Sequence, residues 1–229
     1  GFHITLGPIV TRAAHLIVVI PLAFLLYPAR KRLPHGGPSP VDYFLAAAAS
    51  AAFAWAIVSA ERFEARFAYF DPVEPLDLVF GVLALVTVFE ATRRTVGSSI
   101  VVINLVFIVY ALTGPYWPGV LQHKGTSFPF LIEHLYMLSD GLFNFITGIM
   151  ATFLFTFLAF GAFLRVSGAD RFFTDFAFAV AGNRRGGPAK VAIISSALMG
   201  MLSGSTVSNV ATTGTMTIPM MIRMGFKPH

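Results

Sequence analysis

Apolar residues gather into five long runs separated by polar or charged connections. The runs are Ala13–Tyr27 (a start as early as Ile9 also fits), Val41–Ala60, Leu76–Thr92, Ser98–Thr113 and Phe143–Val166. A helix crossing roughly 30 Å of hydrocarbon needs about 20 mainly apolar residues at about 1.5 Å each. Each run therefore predicts a transmembrane helix, and the chain reads as an all-α, polytopic membrane protein. Pro21 lies inside the first run, where a kink satisfied by neighbouring helices is expected rather than a hinge.

The connections alternate in charge. Arg30-Lys31-Arg32 follows the first run, Arg93-Arg94 the third, and Arg165, Arg171, Arg184, Arg185 and Lys190 the fifth. Between them, Glu61–Pro75 sets two Arg against Glu61, Glu64, Asp71 and Glu74, and Gly114–Asp140 has Lys124 as its only Lys or Arg. The positive-inside rule makes the basic connections cytoplasmic and the other two external. That order puts Gly1 outside, so an earlier crossing helix is expected upstream of a chain that opens without Met. The first run is too long for a signal-peptide core, and no small-residue cleavage pattern follows it.

Composition agrees. Of the 229 residues 56% are apolar and 12% charged, about half the charged share of a soluble domain, and 24 are Phe. A soluble globule, a disordered chain, a collagen-like repeat and a disulfide scaffold are excluded. The net charge of +5 would suggest nucleic acid in a soluble protein. Here the cations flank apolar runs, so the expected partner is membrane lipid and not nucleic acid. Zero Cys removes disulfides, thiolate nucleophiles and Cys-based zinc sites.

Two connections have structure of their own. Gly114–Asp140 holds Pro115, Trp117, Pro118 and Pro129 among further aromatics, which suits a loop plus a short interfacial helix. Ala169–Gly182 places Phe172, Phe173, Phe176 and Val180 at helical spacing, with Asp170, Arg171 and Asp175 elsewhere around it. That is the pattern of an amphipathic helix at the cytoplasmic interface, although a plain connector fits too.

Beyond Gly186 the pattern changes. Lys190–Leu202 is apolar but too short to cross the bilayer. Ser203-Gly-Ser-Thr-Val-Ser-Asn209 and Ala211-Thr-Thr-Gly-Thr215 follow, then a short apolar piece, Met216–Met221, with Arg223 and Lys227 at the end. Basic residues at both ends and two half-length arms predict a re-entrant helical hairpin with a non-helical polar tip near mid-membrane. Such a tip persists in lipid only when buried in protein or lining a watery cavity, and transporters place such breaks at their binding sites. Ser203, Ser205, Thr206, Ser208, Asn209, Thr212, Thr213 and Thr215 offer oxygens to a hard monovalent cation and donors to a carboxylate, while Gly204 and Gly214 allow close backbone approach. Small polar residues also serve helix packing, but eight within thirteen positions favour a site.

The same stretches resemble a known family. Gly186-Gly-Pro-Ala-Lys-Val191, Ser203-Gly-Ser-Thr-Val-Ser-Asn-Val210, Thr213-Gly-Thr-Met-Thr-Ile-Pro219 and Gly225-Phe-Lys-Pro228 look like the fused permease of TRAP (tripartite ATP-independent periplasmic) transporters of the TAXI type. Phe89-Glu-Ala-Thr-Arg-Arg94, Tyr110-Ala-Leu-Thr-Gly-Pro-Tyr116, Pro118-Gly119 and Phe160-Gly-Ala-Phe-Leu164 fit the same pattern, so the likeness covers most of the chain. Thr206 and Ser208 stand where the family pattern has Ala, and Ser139-Asp140-Gly141 departs from its Glu-Gly pair.

The resemblance implies small-subunit-like helices and an external loop over 1–140, and over 141–229 the start of the large transport subunit with its first hairpin. It makes the chain the N-terminal portion of a longer permease in the cell inner membrane. It also implies sodium-driven uptake of an organic acid (carboxylate) delivered by a periplasmic substrate-binding protein. Sodium would be the coupling ion, with no other cofactor, and Ser203, Ser205 and Asn209 would help bind sodium or substrate.

Other polar residues read as structural. Glu90 is spaced to pair with Arg94 at i+4, and Asp42 and Asp77 sit at helix starts, where negative charge suits the dipole. Asn104 suits a hydrogen bond between helices, and His15 an interfacial or bundle contact. His123 and His134 lack a partner at metal spacing. Two rival functions are a serine-type intramembrane enzyme using Ser203 or Ser205, which lacks a base in the tip, and a non-transporting scaffold.

Overall fold

The computed structural model describes residues 7–29, 37–203 and 206–226. Among them the regular structure is helical throughout, and five helices are long and apolar enough to cross a membrane, as the apolar runs predict. The chain divides into two compact units, Gly1–Ala151 and Thr152–His229.

The first unit is built on α1 (Pro8–Leu26), α2 (Pro40–Val58) and α4 (Pro75–Thr95). Each begins with proline, whose missing N–H costs nothing in a first turn and whose fixed φ suits the helix. α1 thus starts one residue ahead of Ile9, the earlier of the two starts that hydropathy allows, and Pro21 lies within an unbroken α1. In α2, Asp42, Ala46, Ala49, Phe53 and Ala56, followed by Ala60, form one buried stripe at alternating spacings of four and three. Its alanines let α1 and α4 approach closely. Phe24, Phe53, Tyr136 and Phe143 fill the remaining space, and the Tyr136 hydroxyl donates to the Ala52 carbonyl. α5 (Ser98–Thr113) packs mainly on α4 and buries none of its residues.

Two polar clusters close the ends of this bundle. At one end Arg94 forms a salt bridge with Asp42, another with Glu90 (2.7 Å), and a hydrogen bond to the Tyr27 carbonyl, and it stacks over Phe24. The Glu90–Arg94 pair expected from spacing is present, and Arg93 joins it. Asp42 also accepts the Ser39 N–H at 2.7 Å at the start of α2.

At the other end Asp77 is fully buried, far more than a helix-start carboxylate needs to be. It accepts from Trp55 Nε1 (2.9 Å) and from both Nη atoms of Arg62 (2.8 and 2.7 Å), which belongs to α3 (Ala60–Ala65). The Asp77 hydrogen bond, aided by its charge and by Glu74, holds the Arg62 guanidinium above its ordinary pKa.

At that same end the two acid-rich connections meet. Arg66 pairs with buried Glu133 at 3.5 Å. Tyr69 stacks on Phe130 with centroids 4.3 Å apart, and its hydroxyl shares a hydrogen bond with His134 Nδ1 (2.8 Å). These contacts hold Tyr69 at φ 68°, in the left-handed region. The short helix expected in Gly114–Asp140 is α6 (Phe128–Ile132), which runs into a π turn, Glu133–Met137. His123 fastens the loop before it, its Nδ1 accepting the Gly125 N–H at 3.0 Å. Asn104, expected to bond between helices, instead donates to the Ile100 carbonyl one turn back in its own helix.

α6 rests on α4 at Gly81, where an added Cβ would lie 2.4 Å from Ile132 Cγ2. Gly81→Val is therefore expected to overpack this contact and cost about 1–3 kcal/mol, read as a lower unfolding midpoint in detergent.

The fifth apolar helix runs from Phe145 to Val166 and contains a π turn, Met150–Leu154, between α7 (Phe145–Ile149) and α8 (Phe155–Val166). In the second unit, α8 leads through Gly168 (φ 89°) into α9 (Ala169–Ala181), the helix expected from the amphipathic spacing. α9 packs on α10 (Gly187–Ser203), and α10 on α11 (Thr206–Arg223).

Candidate functional site

The polar segment forms the end of a helical hairpin. At about 1.5 Å per residue, the 17 residues of α10 and 18 of α11 are about 25 and 27 Å long, each short of the hydrocarbon core. Only Gly204 and Ser205 separate the two helices, and both lie outside the described residues.

One expectation is corrected. The stretch Ser203–Thr215 was expected to be largely non-helical, yet helix resumes at Thr206 and continues to Arg223. The hydroxyls are accommodated within it. Thr213 Oγ1 donates to the Asn209 carbonyl and Thr217 Oγ1 to the Thr213 carbonyl, each at 2.8 Å and each one turn back. Hydroxyls bonded one turn back within the helix leave its backbone ladder in place, so polar composition here is compatible with a continuous helix.

Among the described residues, Asn209 makes a polar contact across the hairpin. Its Nδ2 reaches across to α10 and donates to the Ser196 carbonyl (2.9 Å) and to Ser196 Oγ (3.1 Å). Gly200, one turn along α10, leaves room for it, since a Cβ there would lie 3.3 Å from that nitrogen. The other end of the amide is different. Among the described residues, Asn209 Oδ1 is buried without a hydrogen-bond partner. A shallow groove of about 410 Å³ runs beside the pair, lined by Ala192, Ser196, Val210, Thr213 and Thr217 among others.

Of the residues expected to form a site, Asn209 and Thr213 lie at the α10–α11 contact, Gly214 is half-buried beside the groove, and Thr215 is exposed. Ser203, Thr206, Ser208 and Thr212 are helical, and their side chains lie outside the described set along with Gly204 and Ser205. Sequence reasoning missed Ser195, Ser196 and Gly200 on the facing helix. Ser195 is fully buried and Ser196 receives the Asn209 amide. A Ser-Ser pair inside an otherwise apolar half-length arm was the available signal.

Fold and hairpin together define a polytopic α-helical membrane protein whose second unit presents buried amide and hydroxyl groups between two short helices. The family described as "Tripartite ATP-independent periplasmic transporter, DctM component" matches residues 83–229, and the chain belongs to it. That family comprises transporter permease components. Over 70 residues the chain is 41% identical to the C4-dicarboxylate TRAP transporter large permease protein DctM of Pseudomonas aeruginosa, a match covering 31% of this chain and 16% of the relative. It is 34% identical over 73 residues to a TRAP transporter large permease protein of Haemophilus influenzae, covering 32% and 17%. The chain spans about a sixth of the length of each of these relatives. No solved structure matches it.

Proposed function

We propose that the chain is part of a fused, TAXI-type TRAP permease in the cell inner membrane that takes up organic acids by alternating access, driven by sodium and supplied by a periplasmic substrate-binding protein. Asn209 Oδ1 carries this reading. A buried carbonyl oxygen without a donor costs about 1–3 kcal/mol, and a hard monovalent cation is a ligand that offsets that cost. The Nδ2 bonds to Ser196 hold the amide so that this oxygen cannot turn toward the α10 backbone.

Sodium here is cargo. Asn209 is its first ligand in the proposal, and Ser203 and Ser205 are the further ligands the family resemblance implies. Gly204, Thr206, Ser208, Thr212, Thr213, Gly214 and Thr215 are the wider set of candidates for binding ion or substrate. A carboxylate substrate suits the hydroxyl and amide donors, and the name of the Pseudomonas relative, a C4-dicarboxylate permease, supports that class. Two helices joined by only Gly204 and Ser205, with basic residues at both outer ends, support a re-entrant hairpin entered from the basic side of the membrane.

The test is uptake into proteoliposomes by the full-length protein with its cognate binding protein. Uptake is expected to need an inward sodium gradient. Undiminished uptake with potassium in place of sodium rejects the coupling.

A further inference from the structure

The proposed transport function leaves α9 unused. This 13-residue helix, about 20 Å long, is too short to cross a bilayer. One stripe, Thr174, Ala177 and Ala181, is buried, with the two alanines packed on Val191 of α10. A second apolar stripe, Phe172, Phe176 and Val180, recurs every fourth residue and stays 64%, 48% and 48% exposed. The rings of Phe172 and Phe176 stack along it, 6.4 Å apart at 21°. Arg171 and Asp175 occupy the arc between the two stripes.

Charge singles this helix out. Arg165 precedes α9, Arg171 lies in its first turn, and Arg184, Arg185 and Lys190 follow it, all exposed. Only Asp170 and Asp175 oppose them between positions 165 and 190. Among the described residues none of these five cations forms a salt bridge. An apolar stripe with unpaired cations at both ends matches an anionic bilayer surface. The rings enter the headgroup–acyl boundary while the long basic side chains reach the phosphates. A protein partner would have to bring carboxylates to both ends as well as cover the stripe.

We propose that the Phe172–Phe176–Val180 stripe of α9 docks into the leaflet on the basic side of the membrane, held there by anionic phospholipid headgroups at Arg165, Arg171, Arg184 and Arg185. Packed on α10 through Ala177 and Ala181, α9 then ties the first arm of the hairpin to the lipid surface.

These 229 residues contain no Cys, so the labelling background needs only any Cys elsewhere in the full-length protein changed to Ser. Phe176→Cys, introduced into the full-length protein and nitroxide-labelled, is reconstituted in phosphatidylcholine vesicles with or without phosphatidylglycerol. Collisions with oxygen and with a water-soluble nickel chelate then report depth. With phosphatidylglycerol the label is expected roughly 5–10 Å below the phosphates, open to oxygen and shielded from the chelate. Without it, or with Arg184→Gln and Arg185→Gln, chelate access should rise severalfold. Val180→Cys gives the same readout if the first variant folds poorly. A label open to the chelate in anionic vesicles overturns the proposal. So does one shielded from both reagents, which means a protein segment or a second copy covers the stripe. A depth unchanged in pure phosphatidylcholine also overturns it, because the headgroup charge then plays no part.

Discussion

Replacing Asp77 by Ala is expected to lower the free energy of unfolding by about 1–3 kcal/mol, because the N–H of half-buried Trp55 loses its acceptor and the partly exposed Arg62 loses its principal one. Asp77 is fully buried, and it joins Trp55 of α2 and Arg62 of α3 to the start of α4. Without it the Arg62 guanidinium keeps only Glu74 (2.8 Å) and Ser59 (3.3 Å), and the Trp55 indole N–H loses its acceptor. Exchanging both partners at once, Arg62→Met with Asp77→Leu, removes the charges together and should cost less than Asp77→Ala alone. Thermal unfolding in detergent, followed through Trp55 fluorescence, separates these cases. A loss under about 1 kcal/mol for Asp77→Ala would mean that solvent reaches the pair.

Asn209→Ala should separate stability from transport. In sodium-free buffer its effect on unfolding is expected to stay within about 1 kcal/mol, since two hydrogen bonds of roughly 1 kcal/mol each are lost while an unsatisfied buried oxygen is removed. Sodium is another matter. A ligand at about a hundred times its Kd stabilises the native state by about 2.7 kcal/mol, and that increment should be absent in the variant. Sodium-driven uptake should fall at least about tenfold, equivalent to about 1.4 kcal/mol of lost binding. An unchanged sodium response in both assays would remove Asn209 from the ion's ligands.

Much of the fold was legible because a bilayer imposes a length. Some twenty apolar residues in a row leave few alternatives, and all five long helices lie where hydropathy puts them. Glu90–Arg94 and α9 were legible because their partners lie within a turn or two. What escaped depends on distant contacts. Asp77 was placed at a helix start, but its burial comes from Arg62 and Trp55, 15 and 22 positions earlier. The polar hairpin end was located while its backbone was misread, since composition does not show that Thr213 and Thr217 bond back into their own helix. Ser196 went unnoticed inside an apolar arm because its meaning comes from Asn209, 13 positions later.

One property of the hairpin reaches past its geometry. Residues 187–223 contain no Asp or Glu, so any oxygens they offer a cation are neutral. An ion held there keeps its whole charge, and carrying it through the membrane field is worth about 2.3 kcal/mol per 100 mV. Lacking a built-in counter-ion, the hairpin would draw on electrical potential as well as concentration, and a negatively charged passenger would be the natural partner to balance the load.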